Sequence, residues 1–457
     1  MIRSYASSFL QSLTVFLIVC CSSLVAEVSA DVPASKRFSY NLEPNGFRPG
    51  YYETEYRVSF RDLPIQSYPF SLCFYEANPE STGIDESVPV TNSYILAIGM
   101  GHAHSDGITR WVWAANLNRP VGNKAKLVFS RSGNLALIDG NGRIGWQTRT
   151  SNKGVVDIRL LPNGNLVLLD RNGGFVWQSF HYPTNTLLVG QGLGPGSSTT
   201  NKIVNGRYSL VLQDAKLSLF IAPEPKSSKP INYYNVTQMS VLGSNITFDT
   251  SKYFFGPGPG GFYITLSIVV STNSFYPLAS PKYNSTLSML RIGSNGNLFI
   301  YTYSDLPVNN YKAWEKTYAT FSGEGGDNEC ILPPKCGSFG LCEDGQCVAC
   351  PTPKGQLGWD KNCKLPSIPS CNASAANVGY YVVPYVADYR LLDDSDGEGS
   401  LRVDECMKKC SSDCKCVGFF HRLLATRFQC LLATQINTLA KGDVFRASAD
   451  VYIKYTK

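Results

Sequence analysis

The sequence predicts a mainly β chain of tandem, internally repeated β units with a cystine-rich tail. Three observations carry this. Residues 132–148 read SGNLALIDGNGRIGWQT and residues 163–179 read NGNLVLLDRNGGFVWQS, with Asn134/Asn165, Leu137/Leu168, Asp139/Asp170 and Trp146/Trp177 in register. The composition is that of a globular, β-rich chain, 43% hydrophobic and 17% charged over 457 residues, with abundant Tyr, Phe and Gly. The cysteines after residue 30 lie almost all beyond residue 329.

Each copy of the repeat opens on Gly-Asn, runs through a short apolar stretch, turns at Asp-x-Asn-Gly and closes on a second short run ending in Trp. That is a β-hairpin, with Asn141-Gly142 and Asn172-Gly173 supplying the positive φ angles of a tight turn. Trp113, in RWVWAANLNRPV, stands 33 residues before Trp146, close to the 31 that separate Trp146 from Trp177. Three Trp-ended units at near-equal spacing predict a pseudo-threefold β domain whose indoles converge on its axis.

In chain order, residues 1–30 form a signal peptide: Arg3 gives the positive start, Val15 to Val25 the apolar stretch, and Val28-Ser29-Ala30 a small-residue cleavage site before Asp31. No later run reaches the length of a spanning helix, and the terminal VYIKYTK carries no hydrophobic tail, so a soluble secreted product without a membrane span is expected. Asn235, Asn245, Asn284 and Asn372 head Asn-x-Ser/Thr sequons and are the expected glycan acceptors. The net charge of +6 is not gathered into a basic run, which argues against nucleic acid as a partner and leaves a weak attraction to acidic wall polymers. Residues 31–126 lead into the repeat and hold Cys73, which stands apart from the other cysteines. Two roles stand open for it, a buried thiol acting as a small hydrophobe or an intermolecular disulfide joining a dimer; contact between β domains is the other expected route to a dimer.

The segment FVWQSFHYPTNTLLVGQGLG, residues 175–194, makes the chain recognisable. It resembles the extracellular region of plant S-domain proteins: bulb-type lectin domains, S-locus glycoproteins and, most closely, epidermis-specific secreted glycoproteins. Trp177, Gln178, Ser179, Phe180, Pro183, Thr184, Thr186, Leu187 and Leu188 match the family's Trp-Gln-Ser-Phe and Pro-Thr-Asp-Thr-Leu-Leu elements, with Asn185 in place of the Asp. Val112-Trp113-Ala114-Ala115-Asn116 is similar to its Val-Trp-x-Ala-Asn element, and Gly206-Arg207-Tyr208-Ser209-Leu210 to the opening of its second lectin-like unit. The resemblance implies two tandem β-prism II units, residues 31–194 and 195–325, with an EGF-like module at 326–365 and a PAN (apple-like) α+β module at 366–457.

Within the second unit, strands are expected around Tyr208–Leu212, Leu217–Ile221, Phe262–Val270 and Leu287–Ile292, and Gly256–Gly261 reads as a loop. Cys330, Cys336, Cys342, Cys347, Cys350 and Cys363 crowd a segment too poor in apolar residues to fold without covalent ties. Cys347-x-x-Cys350 would suit zinc, but the secretory context favours disulfides, whose pairing spacing does not choose. Cys371, Cys406, Cys410, Cys414, Cys416 and Cys430 form a second set, with Cys406 and Cys410 on one face of a helix. Gly418-Phe419-Phe420 after them is similar to the PAN pattern.

The family's mannose motif is Gln-x-Asp-x-Asn-x-Val-x-Tyr, in which alternate strand residues share a face and meet the sugar together. The corresponding residues are Ser130, Ser132, Asn134, Ala136 and Ile138; then Leu161, Asn163, Asn165, Val167 and Leu169; then Gly293, Asn295, Asn297, Phe299 and Tyr301. Only the Asn persists, and no copy keeps the carboxylate that takes charge-assisted bonds from sugar hydroxyls. Asn134 and Asn165 therefore read first as residues satisfying backbone groups where a strand begins. The functional alternative is an altered glycan site over Asn134, Asn163, Asn165, Asn295, Asn297 and Tyr301, the last three being the best preserved set.

No nucleophile elbow or zinc helix accompanies the four histidines His102, His104, His181 and His421, and His102-Ala-His104 sits in a Gly-bounded loop; neither catalysis, cofactor nor metal is expected. Asp394, Asp396, Glu398, Gly399 and Glu405 fit calcium-loop spacing but lack an entering helix, so a solvated loop leading into the Cys406 helix is expected instead. The chain thus reads as a secreted, non-enzymatic glycoprotein of the apoplast or cell wall that binds glycans or an extracellular protein. The competing reading is a structural wall or epidermal glycoprotein with no discrete sugar ligand.

Overall fold

Strands as short as Leu135–Ile138 and Leu166–Leu169 form because each follows a tight turn and buries its apolar residues at once. The computed structural model describes residues 31–457 apart from 44–46, 53–55, 78–92, 102–107, 195–200, 214–215, 223–228, 238–244, 255–261, 272–273, 281–286, 305–312, 323–326, 362, 364–366, 368–376, 393–396 and 443–447. The signal segment, Gly256–Gly261, Asn284, Cys371, Asn372, His102, His104, Asp394 and Asp396 lie outside the described residues.

The first unit has three sides. One carries strands Tyr56–Ser67, Phe70–Glu76, Tyr94–Met100 and Ile108–Ala114, closed into a barrel by Arg48–Tyr52. The second is Lys126–Phe129, Leu135–Ile138 and Ile144–Gln147, with Phe38–Asn41 added at its edge; the third is Asp157–Leu160, Leu166–Leu169 and Phe175–Gln178. The last strand of each side ends near a Trp, and the three indoles meet edge to face. Ring centres of Trp113, Trp146 and Trp177 lie 5.6, 6.1 and 5.7 Å apart pairwise, at 70–74°, a geometry aromatic quadrupoles favour. The duplicated segments form hairpins, but their turns differ from the two-positive-φ kind expected. Only Gly142 (φ 84°) and Gly173 (φ 80°) are left-handed. Further along each ladder, at Leu137/Ile138 and Leu168/Leu169, lies a separate one-residue slip, while at the turns themselves Asp139 N–H donates to Arg143 O and Gly142 N–H to Asp139 O, as Asp170 N–H does to Gly174 O and Gly173 N–H to Asp170 O. These are type I turns closed by a glycine bulge. Turn side chains brace them: Asp170 Oδ1 accepts from the N–H groups of Asn172 and Gly174, at 2.8 Å each, and in the first hairpin Asn141 Oδ1 accepts from the Arg143 N–H at 2.9 Å.

The second unit also has three sides, each four-stranded. Two of them draw their first strand from before residue 194. Thr186–Leu188 pairs with Ser288–Ile292, and Gln191–Leu193 pairs with Ile246–Phe254. Alternation along this strand divides the two cores, Leu188 packing into the first and Leu187 into the second. Met289, Tyr303 and Trp314 also pack into the first core, and the buried Arg291 donates to the Trp111 carbonyl at 3.1 Å.

Beyond residue 328 the two cysteine groups share one eight-stranded sheet, because Leu341–Glu343 lies parallel to Leu439–Lys441. Helix Val403–Ser412 packs on this sheet through Cys406 and Cys410, both fully buried on one face as their spacing predicts. Disulfides join Cys330–Cys342, Cys336–Cys347, Cys350–Cys363, Cys406–Cys430 and Cys410–Cys416, and Cys414 is also disulfide-bonded. The six cysteines weighed against zinc are all in disulfides. Lys454, almost wholly buried, donates to the Cys410 and Asp413 carbonyls at the C-terminal end of the helix, where orphan acceptors and the helix dipole favour a cation. Burial holds its ammonium below the usual lysine range.

Candidate carbohydrate site

The motif residues fall on three separate sheets and are not brought together. Asn165 is buried and directs its amide inward: Nδ2 donates to Gln178 Oε1 at 2.8 Å, while Oδ1 accepts from Ser179 Oγ and Phe180 N–H, each at 3.2 Å. Asn134 makes the same clasp to Gln147 (3.0 Å), Thr148 Oγ1 (3.2 Å) and Thr150 N–H (3.1 Å). Asn297, also buried, donates to the Phe321 carbonyl and accepts from its N–H. Each amide ties the start of a middle strand to the chain leaving the next one. Asn163 and Asn295 are exposed, and their Oδ1 atoms accept from the N–H groups of Asn165 and Asn297. Tyr301 is half-buried between the units, with the Arg110 guanidinium 4.0 Å from its ring centre. In the second copy a hollow of about 410 Å³ lies beside the motif positions Leu161 and Leu169. Its one well-buried carboxylate, Asp157, is held by Lys36 (2.6 Å) and Arg159 (3.0 Å). Burial raises the Asp157 pKa, but the bonds from Lys36 and Arg159 outweigh it and leave the carboxyl below its usual value of 3.8.

A larger groove, about 1020 Å³, opens at the Trp end of the first unit. Trp113, Trp146 and Trp177 are among its lining, and Tyr182, about half exposed, stacks on Trp177 at 5.6 Å and 15°. The Trp113 indole N–H donates to the Tyr182 carbonyl at 2.9 Å, which fixes this segment over the Trp cluster. Half-buried Gln147 supplies an amide along the walls, and exposed Ile144 and Leu117 add apolar surface, while Asn116 and Thr148 are buried with their polar atoms bonded within the protein. The arrangement is that of a ligand cleft: aromatic and apolar surface with a few placed polar groups. The motif reading missed it because the groove takes its lining from four separated segments. The Gln-Thr and Gln-Ser that follow each repeated Trp were the available signal for the Asn clasps.

The remaining candidates have local roles. Cys73 is fully buried among Phe60, Ala97 and Trp111, and its Sγ–H points to the Ala97 carbonyl at 3.5 Å. Burial pushes this thiol well above its ordinary range. A disulfide to a second chain through Cys73 is therefore set aside, because a thiol with no solvent access cannot meet another chain's cysteine while the strand is folded. Glu405 accepts from the Arg402 backbone N–H at 2.8 Å as a helix cap, and Glu398 pairs with Lys409 at 2.9 Å. His421 stacks on Phe428, and the exposed His181 meets the Gln178 amide at 3.0 Å. Asn235 and Asn245 are exposed, as glycan acceptors must be. Among the described residues no helix is long and apolar enough to cross a membrane.

A three-sided β body capped by converging Trp residues is the class of the D-mannose binding lectin domain, whose family model matches residues 110–205. Over most of its length the chain is similar to EP1-like glycoprotein 1 of Arabidopsis thaliana, 38% identical across 95% of this chain and 97% of that one. It is also similar to the epidermis-specific secreted glycoprotein EP1 of Daucus carota, 42% identical across 74% and 90% respectively. The chain belongs to this family of EP1-like glycoproteins. A PAN domain-containing protein of Arabidopsis thaliana is 23% identical over 75% of this chain.

Proposed function

We propose that the chain is a secreted, non-enzymatic glycoprotein of the apoplast or cell wall that binds glycans in the groove at the Trp end of its first β unit. The groove carries this reading. It offers Tyr182 and Ile144 as exposed surface for the apolar face of a pyranose ring, with the half-buried Gln147 amide nearby for hydroxyls. Its volume stands at the upper end of the range of about 300–1,000 Å³ usual for small-ligand pockets, which suits a short oligosaccharide better than one sugar. The motif Asn residues serve this site as framework rather than as hydroxyl partners. Secretion is supported by the disulfides beyond residue 328, which persist in an oxidising compartment, and by a relative named as a secreted glycoprotein.

A glycan array probed with the purified full chain tests the reading. Retention of one oligosaccharide class, weakened about tenfold by Tyr182→Ala through loss of an aromatic platform, is expected. Silence across mannose, xyloglucan and pectin fragments would end it.

A further inference from the structure

We propose that this groove selects carboxylate-bearing sugars, short uronic acid oligomers, over neutral ones; the inference rests on the glycan-binding reading and narrows it to a chemical class. The observation is an imbalance of charge. Arg119, Arg149 and Lys202 line the groove, and among the described residues lining it there is no Asp or Glu. Elsewhere in the same unit arginines have carboxylate partners: Arg131 with Asp31, Arg143 with Asp139 and Arg159 with Asp157. None of the three groove cations makes an ion pair among the described residues.

The backbone carrying these cations is fixed. Arg119 N–H donates to the Asn116 carbonyl at 2.9 Å, and the buried Asn116 amide returns a bond to the Arg119 carbonyl at 3.1 Å. Arg149 lies between Thr148 and Thr150, both bonded to Asn134 Oδ1, and is held at φ 57°, a left-handed conformation that a long side chain rarely adopts. Lys202 comes from the second unit and also lines the groove. A guanidinium takes a carboxylate in two parallel hydrogen bonds, and unpaired cations beside a concave apolar wall attract anions more strongly than cations on an open surface. A chain of uronate residues presents one carboxylate per ring together with apolar ring faces for Tyr182, so it matches both the charge and the aromatic character of the groove. A neutral oligosaccharide matches only the second.

Titration calorimetry on the full chain tests this with tetragalacturonate, its methyl-esterified form and neutral mannotetraose. Tetragalacturonate is expected to bind about tenfold or more tightly than the ester, and to weaken as salt rises from about 0.05 to 0.3 M. The combined variant Arg119→Gln, Arg149→Gln and Lys202→Gln should lose that preference, binding acid and ester alike. Arg119→Gln alone, at an exposed loop position, should lose part of it; each variant's urea midpoint verifies folding. Equal affinity for acid and ester would overturn the uronate inference and leave the glycan groove standing. Uronate binding untouched by the combined variant would overturn it by placing the site elsewhere, and absence of binding by all three ligands would overturn both.

Discussion

Asn165 and Asn134 are equivalent in sequence yet differ in what they hold. The Asn165 amide fastens Ser179 and Phe180 inside the third side, whereas that of Asn134 fastens the two threonines flanking the exposed Arg149. Asn165→Ala leaves buried donors and acceptors unmet, at a cost of about 1–3 kcal/mol read as a lower urea midpoint with unchanged m. Asn134→Ala should cost less stability but weaken binding in the groove, since Arg149 loses its anchor; unaltered binding in this variant would remove Asn134 from the site's support. Gly164 carries a sharper constraint. Its φ is 82°, and a Cβ there would stand 2.6 Å from Leu188 and 2.7 Å from Phe70. Gly164→Ala should destabilise by more than the roughly 1 kcal/mol of a strained φ alone, because the added methyl also forces apart the core at Leu188. A loss well below that in chemical denaturation would show that the contact yields freely.

At the scale of elements, the repeated hairpins and the meeting of Trp113, Trp146 and Trp177 were legible in the sequence, because the turn residues, strand period and Trp spacing all lie within one repeat. What was not legible depends on distant partners. Thr186–Leu188 reads locally as the end of the first unit, yet it pairs with Ser288–Ile292, and no local pattern records a partner about a hundred residues on. The parallel pairing of Leu341 with Leu439 was hidden in the same way, as was the groove, which joins segments around residues 116, 146, 182 and 202. The turn type was missed because Asn-Gly suits two turns, and side-chain bonds within each loop, from Asp170 in one and Asn141 in the other, accompany the one adopted. Between sheet and N-terminal segment, Asp157 joins Lys36 and Arg159. Its folded pKa lies below 3.8, so the stability it adds is complete above that value and is lost as pH falls through the lower folded value. Melting curves across this acid range should show a slope that Asp157→Asn flattens; an identical slope in the variant would remove Asp157 as its source. Helix Val403–Ser412 depends on covalent ties instead. Replacing Cys406 and Cys430 together with Ala should cost about 3 kcal/mol, seen as an earlier thermal transition.

Across the whole molecule the units are coupled rather than strung. Arg291 reaches the Trp111 carbonyl, Arg110 lies over Tyr301 and Trp314, and Tyr389 from the C-terminal module packs into the core of the second unit, where its hydroxyl accepts from Asn437 at 3.2 Å. Lys202 belongs to the second unit and lines a groove of the first, so this coupling bears on the site itself. Tyr389→Ala should open the junction with the C-terminal module to limited proteolysis while leaving the groove intact, and a cleavage pattern identical to that of the wild type would contradict this. The central claim is that ligand is held at the Trp end and not on the worn motif faces. Hydrogen exchange of the full chain with and without tetragalacturonate tests it most directly. Slowed exchange confined to residues 116–119, 144–150 and 182–184 is expected, and protection over 163–169 or 295–301 instead would contradict binding at the Trp end.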